Sequence, residues 1–176
     1  MSKDPPARIT QTYLENVALH YLERFASSSA NLRRVLLRRI HRSTSHWGEE
    51  PESAIALMDE VIQKMIRLGY LDDARYAVAK ASALRARGGS TRKVRAGLAS
   101  KGVDTDLIDQ ALAQLVEQGD GGDLDAAYIF ARKRRLGPYR MSARAEFREK
   151  DLAALGRAGF SWSVAKQVIE SELERD

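Results

Sequence analysis

The chain has 176 residues, a net charge of +5, 30% charged and 44% hydrophobic residues, and no cysteine. This length suits one compact domain or a short array of small modules, and the lack of cysteine excludes disulfides, thiolate zinc sites and cysteine nucleophiles. The positive excess favours an acidic partner, either nucleic acid or an acidic protein surface.

Ala, Leu, Arg and Glu dominate the sequence and runs of β-branched residues are nearly absent, so helix is expected and sheet is not. MSKDPPARIT has no apolar stretch like that of a signal peptide. No apolar run reaches about 18 residues. A cytoplasmic chain without a membrane segment is expected.

Residues 1–10 read as a flexible tail, because Asp4, Pro5 and Pro6 oppose helix. From Tyr13 the apolar residues Leu14, Val17, Ala18, Tyr21, Leu22 and Phe25 recur on one helical face. SSSAN breaks that pattern and offers an N-cap near Ser29. A second helix places Leu32, Val35, Leu36 and Ile40 on one side and Arg33, Arg34, Arg38, Arg39 and Arg42 on the others. STSHWGEEP reads as a loop, and a third helix runs from about Pro51 to Gly69.

The middle third repeats this grammar. Asp72 or Asp73 caps a helix that Gly88 and Gly89 stop, Ser90 caps a short helix ending at Gly102, and Asp104 starts another. GDGGD, residues 119–123, is the clearest break. In the last third, one helix reaches about Arg135, LGPYR turns the chain, a second runs from about Met141 to Gly159, and Ser161 caps a last one carrying Val164, Val168, Ile169 and Leu173.

The middle helices align loosely as LRRVLLRRI, KVRAGLASKG and DLAALGRAGF, with Leu36, Leu98 and Leu155 at matching places. The expected fold is therefore all-α, three tandem three-helix repeats over 11–69, 70–120 and 121–176, forming an elongated or curved array. Asp151 stands where an apolar residue is expected, and the loop HRSTSHWGEEPES is long for its place.

RARGGSTRKVRAGLASKG, residues 85–102, joins two glycines to two hydroxyls and a run of cations. A phosphate-cradling loop requires G-x-x-x-x-G-K-[ST] after a buried strand. Here the glycines follow a helix and the spacing is wrong, so the pair reads as a left-handed helix stop with a serine cap. Arg92, Lys93, Arg95 and Lys101 then project from the short helix, and the free N–H groups at its start favour an anion. Together with the second helix and ARKRRLGPYR, residues 131–140, they suggest a basic side of the array.

No catalytic constellation stands out, and no cofactor is expected. His41 and His46 lack the spacing of a zinc motif. Asp72 and Asp73 read as helix caps, with Arg75 beside them. Trp47 and Trp162 read as packing anchors. Tyr139 suits either base stacking or the core.

LGYLDDARYA (68–77) followed by GGSTRKVRAGLASKGVDTDLIDQAL (88–112) resembles the central signature of the RecX regulatory family. In that signature a glycine, an acid pair, an aromatic and a Lys-Gly pair fall at this spacing. LHYLERFASSSANLRRVLLRRI resembles the family's first repeat and LGRAGFSWSVAKQVI its last. The resemblance implies a non-enzymatic, monomeric modulator of homologous recombination and of the SOS response. It would lodge on the filament that a RecA-type recombinase forms on DNA, suppressing strand exchange, ATP hydrolysis and coprotease activity. Carried over residue by residue, the partner-binding positions are Gly69, Leu71, Asp72, Asp73, Arg75, Tyr76, Arg92, Lys93, Arg95 and Lys101. The basic stretches supply the nucleic-acid candidates for single- or double-stranded DNA: Arg33, Arg34, Arg38, Arg132, Lys133, Arg134, Arg135 and Arg140.

Overall fold

The computed structural model describes residues 5–172. Asp4 of the expected tail and Leu173 of the expected last helix lie outside the described residues. Among the described residues the regular structure is nine α-helices and one short 3-10 turn. The helices are α1 (Gln11–Leu22), α2 (Ser29–Trp47), α3 (Glu52–Arg67), α4 (Asp73–Arg85), α5 (Thr91–Ala99), α6 (Thr105–Glu117), α7 (Gly122–Arg134), α8 (Arg144–Arg157) and α9 (Trp162–Glu170), with the 3-10 turn at Gly137–Tyr139 before α8.

The helices start where the sequence offers a side-chain oxygen. Thr10, Ser28, Ser90, Asp104 and Ser161 each accept a backbone N–H from the first turn they precede, which satisfies one of the unpaired donors of a helix start. The cap of α2 is Ser28, one residue before the expected Ser29.

The chain packs as two compact units, one of residues 1–76 with 101–103, the other of residues 77–100 with 104–176. In the first unit α1, α2 and α3 pack together. Their apolar stripes close over Leu14, Leu32, Leu36, Ile40, Met58 and Val61, all fully buried. In the second unit α7, α8 and α9 enclose Ala127, Ala131, Leu155 and Val168, and α5 packs on α6 through Val94 and Leu98. Leu36, Leu98 and Leu155, aligned by sequence, are each fully buried.

Several expectations change. STSHWGEEP is not a loop: α2 continues through Ser43–Trp47 to Gly48, whose φ of +66° ends it. The hydroxyls there are satisfied without leaving the helix, since Thr44 Oγ1 donates to Ile40 O at 3.1 Å and Ser43 Oγ to Ala7 O at 2.9 Å. The end of α2 also holds part of the expected tail. Trp47 Nε1 donates to Pro6 O at 3.0 Å and the Arg8 guanidinium lies 4.5 Å over the Trp47 ring. Phe25 is beyond α1 and 55% exposed, because the chain turns out of the helix at Tyr21, whose carbonyl takes the Arg24 and Phe25 N–H groups. Trp162, expected as a packing anchor, is 62% exposed. The helix expected from Met141 begins only at Arg144, after Ala143 in the left-handed region at φ +54°.

Asp151 is the polar residue at an apolar position of the repeat, and it is buried. Its carboxylate accepts Arg140 Nε and Nη2 at 2.7 Å each and the Gly137 N–H at 2.7 Å. The pair fixes the LGPYR turn onto α8. Burial pushes the Asp151 carboxyl up, but the Arg140 fork, the Gly137 N–H and the Arg140 charge hold it below the ordinary carboxylate value. Asp123 is lowered in the same way: burial raises it, and Arg85 and Thr91 outweigh burial.

Both groups bind a proton less readily folded than unfolded. Their stabilisation is therefore complete above the unfolded carboxyl value of about 4 and is lost as pH falls through the lower folded value. The melting temperature is expected to be insensitive to these two groups from neutrality to about pH 5 and to fall steeply below about pH 4. Replacing both by asparagine should flatten that acid limb. An unchanged limb in a pH series of thermal melts would contradict the assignment.

Candidate functional site

The first candidate surface lies at the junction of α3 and α4, in the first unit. Gly69, at φ +76°, ends α3, and the Tyr70 N–H returns to Met65 O at 2.9 Å, a helix stop in which glycine avoids the Cβ penalty. The chain then drops Leu71 into the core at 2% exposure. The two aspartates have separate tasks. Asp72 Oδ1 accepts the Arg75 N–H at 2.8 Å and so caps its own helix. Asp73 Oδ1 accepts the Ser29 N–H at 2.7 Å, which caps the start of α2 from 44 residues away.

A cleft of about 560 Å³ is lined there by Ser29, Ile66, Gly69, Leu71, Asp72, Asp73 and Arg75. Ile66, Leu68 and Tyr70 are large apolar side chains left exposed beside it. The sequence places Ile66 and Leu68 in the third helix, which ends at Gly69, and gives no sign that they are surface. Tyr76, half-buried at the start of α4, has its phenol pushed up by burial and by Tyr21 and Asp73.

The Lys-Gly pair of the signature is also in the first unit. Lys101 O accepts from Ser28 Oγ at 2.5 Å. A Cβ on Gly102 would stand 2.5 Å from Ala30 Cβ, so only glycine lets this turn meet the first turn of α2.

The glycine pair Gly88 and Gly89 belongs to the second unit. Gly88 adopts φ +81°, and a Cβ there would meet Phe130 N at 2.8 Å and Ala126 O at 3.0 Å. The anion that the start of α5 favours is part of the protein. Asp123 Oδ1 accepts the Thr91 N–H and the Thr91 hydroxyl at 2.7 Å each. Buried Arg85 donates to the same oxygen at 2.8 Å and to Gly89 O at 3.0 Å, and it pairs with Asp120 at 2.9 Å. The turn therefore holds its own counter-charges and leaves no phosphate cradle.

The remaining cations have distinct surroundings. On α2, Arg33 is paired with Asp59, Arg34 Nε reaches Ala30 O, and Arg38 is exposed. On α5, Arg95 is paired with Asp109 at 2.5 Å, whereas Arg92 and Lys93 are exposed. At the end of α7, Arg132, Lys133, Arg134 and Arg135 are exposed. Arg140 is spent on Asp151, with its guanidinium 4.2 Å over the Phe147 ring, so it serves the fold of the second unit.

Three of these residues meet. Arg92 and Lys93 of α5, Arg134 of α7 and Arg157 of α8 line one cleft of about 620 Å³ with Phe130 and Leu136 in its wall. The sequence had divided Arg92, Lys93 and Arg134 between two surfaces and left Arg157 aside. Among the described residues no group of three His, Cys, Asp or Glu side chains is placed to hold a metal ion. No helix there is long and apolar enough to cross a membrane.

The architecture is that of an all-helical protein built from three-helix units, with two glycine-stopped turns supporting its candidate surfaces. Residues 72–112 match the family model described as RecX, second three-helix domain. The chain is 46% identical over 168 residues to the regulatory protein RecX of Myxococcus xanthus (strain DK1622), covering 94% of this chain and 89% of that protein. It is 30% identical over 172 residues to the regulatory protein RecX of Agrobacterium fabrum, covering 97% and 89%. A crystal structure of RecX from Lactobacillus salivarius shares the fold, with a TM-score of 0.64 over 91% of this chain and 94% of that one at 20% identity. The chain belongs to the RecX family of regulatory proteins.

Proposed function

We propose that this chain regulates homologous recombination by binding the filament of a RecA-type recombinase on DNA and inhibiting its ATPase, strand-exchange and coprotease activities, thereby damping the SOS response in the cytoplasm. The observation that carries this reading is the 46% identity to a regulatory RecX protein across nearly the whole chain. The family match over residues 72–112 covers most of the partner positions read from the sequence. A monomer acting without chemistry suits it: contacts distributed over the repeats 11–69, 70–120 and 121–176 add, and such avidity on a long polymer needs no catalytic group.

The junction of α3 and α4 is the first contact surface in this reading. Exposed Leu68 and Tyr70 supply apolar anchors there, and Arg75 and the acid pair flank them. Co-sedimentation with a recombinase filament formed on single-stranded DNA tests the claim. Tyr70→Ala is expected to weaken binding about tenfold, a loss of the size typical of an interface anchor. Retention of full binding by Tyr70→Ala together with Leu68→Ala would remove this surface from the account.

A second reading is direct, sequence-independent DNA binding by the basic stretches. It is favoured by the exposed Arg38, Arg132, Lys133, Arg134 and Arg135, for which the described residues offer no carboxylate within ion-pair distance. Such binding is driven by counterion release and weakens steeply with salt.

A further inference from the structure

We propose that the cleft between α5, α7 and the end of α8 is a single-strand nucleic-acid site, in which Arg92, Lys93, Arg134 and Arg157 hold backbone phosphates and a base enters against Phe130 and Leu136. The proposal deepens the second reading above and rests on it.

The carrying observation is charge convergence without compensation. Four cations from three helices line one cleft, and no Asp or Glu lines it. Less exposed arginines of the second unit have carboxylate partners: Arg85 with Asp120 and Asp123, Arg140 with Asp151, Arg148 with Glu149 and Glu170. Arg92, Lys93, Arg134 and Arg157 take part in no ion pair with any described residue. Arg92 and Lys93 moreover sit in the first turn of α5, which has no acidic residue. Asp123 already meets the positive end of the helix dipole at the Thr91 N–H, so nothing there offsets the repulsion among the cleft cations. An arrangement unfavourable to the empty protein is favourable to a bound polyanion.

The fold assembles the cleft through close backbone approaches. Gly159, at φ +95°, lies where a Cβ would stand 2.6 Å from Ser90 Oγ and 3.3 Å from Arg92 Cβ. Ser90 Oγ donates to Ala158 O at 2.7 Å while accepting the Lys93 N–H at 3.2 Å. The turn that carries Arg157 is thereby fastened to the turn that carries Arg92 and Lys93. Gly88 seats the same α5 turn against Phe130 on α7. Both glycines that read as mere helix stops thus bring cations of different helices together.

The occupant follows from the walls. Three of the four cations are arginine, whose fork suits phosphate oxygens. The charge continues past the cleft through exposed Arg132, Lys133 and Arg135, which suits a polymer better than a single small anion. Half-buried Phe130, with Arg134 stacked 5.6 Å over its ring and Phe160 edge-on at 5.9 Å, gives a rigid aromatic wall. Bases of a single strand are free to turn into such a wall, whereas duplex bases are stacked away and offer only phosphates.

Fluorescence anisotropy of the full chain alone, with a labelled oligonucleotide as a single strand and as a duplex, tests the proposal. The Arg92→Gln and Arg157→Gln double variant is expected to bind the single strand about tenfold more weakly, with the salt slope reduced by about 1.4 for two lost phosphate contacts at about 0.7 each. Its binding to duplex should change much less. Ala96→Glu, which adds an anion to the cleft wall at an exposed helical position, should weaken single-strand binding while all four cations remain. Circular dichroism should show both variants folded. Single-strand binding that survives both changes, or falls no further than in an Arg38→Gln and Arg42→Gln control on α2, overturns the cleft assignment while leaving direct DNA binding intact. Absence of any DNA binding by the parent chain overturns the second reading and the cleft together. Cleft-dependent binding of polyglutamate in place of DNA overturns the nucleic-acid assignment in favour of an acidic protein segment.

Discussion

Gly88→Ala should cost about 3 kcal/mol of folding stability. Two terms combine. At φ +81° a residue with a Cβ pays about 1–2 kcal/mol for the left-handed conformation. The added carbon would then stand 2.8 Å from Phe130 N, 3.0 Å from Ala126 O and 3.1 Å from Phe130 Cα. These are backbone atoms of a helix, which yield far less readily than a flexible side chain, and overpacking adds about 1–3 kcal/mol. Gly119→Ala separates the terms. Its φ of +90° is equally unfavourable, but nothing lies within 4 Å of its Cβ position, so about 1 kcal/mol is expected. Urea unfolding midpoints of the two variants measure the difference. Equal losses would mean that the close approach of the α4–α5 turn to α7 contributes nothing.

Asp151→Ala should lower stability by about 2 kcal/mol, or about 4–8 °C in melting temperature for a chain of this size. The substitution leaves the Gly137 N–H without its acceptor and Arg140 without its partner. The figure is set below the about 3–5 kcal/mol of a fully buried broken pair because Arg140 keeps 24% of its side-chain surface exposed. Replacing both members, Asp151→Leu with Arg140→Met, should recover the part of the loss that comes from the unpaired Arg140, while the Gly137 N–H stays without its acceptor. Leucine at 151 restores the apolar character of the matching positions Leu32 and Val94, both fully buried, and well-packed apolar replacements of ion pairs are often neutral or stabilising. A double variant as unstable as Asp151→Ala would show that the pair, and not merely its satisfaction, defines the turn before α8.

What the sequence made legible was local. Capping oxygens and stopping glycines act within three or four residues, and so Ser90, Asp104, Ser161, Gly69 and Gly102 could be read directly. What it concealed was settled across long separations. The helix through Ser43 and Trp47 resembled a loop because its hydroxyls find Ile40 O and Ala7 O, and the second of these acceptors lies 36 residues away. Asp73 resembled a cap for its own helix but caps α2. Asp151 resembled a misfit because its partner lies beyond a turn, on Arg140.

The candidate site divides in the same way. The basic residues Arg92, Lys93 and Arg134 were visible as charges, and the sequence held them apart as partner-binding and nucleic-acid residues. Their convergence depends on Gly88, Gly159 and Ser90 bringing three helices to one cleft. Arg157 carried no signal of its own, since an arginine near a helix end is ordinary. Arg140 carried a misleading one, since it belongs to a dense basic run but serves a buried carboxylate.

The central claim, regulation of a recombinase filament, is tested most directly by the DNA-dependent ATPase rate of a RecA-type recombinase on single-stranded DNA, with this protein titrated in below equimolar amounts. The account predicts strong inhibition at a small ratio of protein to recombinase, because one chain bound on a filament affects many subunits whereas competition for DNA needs far more protein. An ATPase rate unchanged up to equimolar protein, with the filament intact, would contradict it.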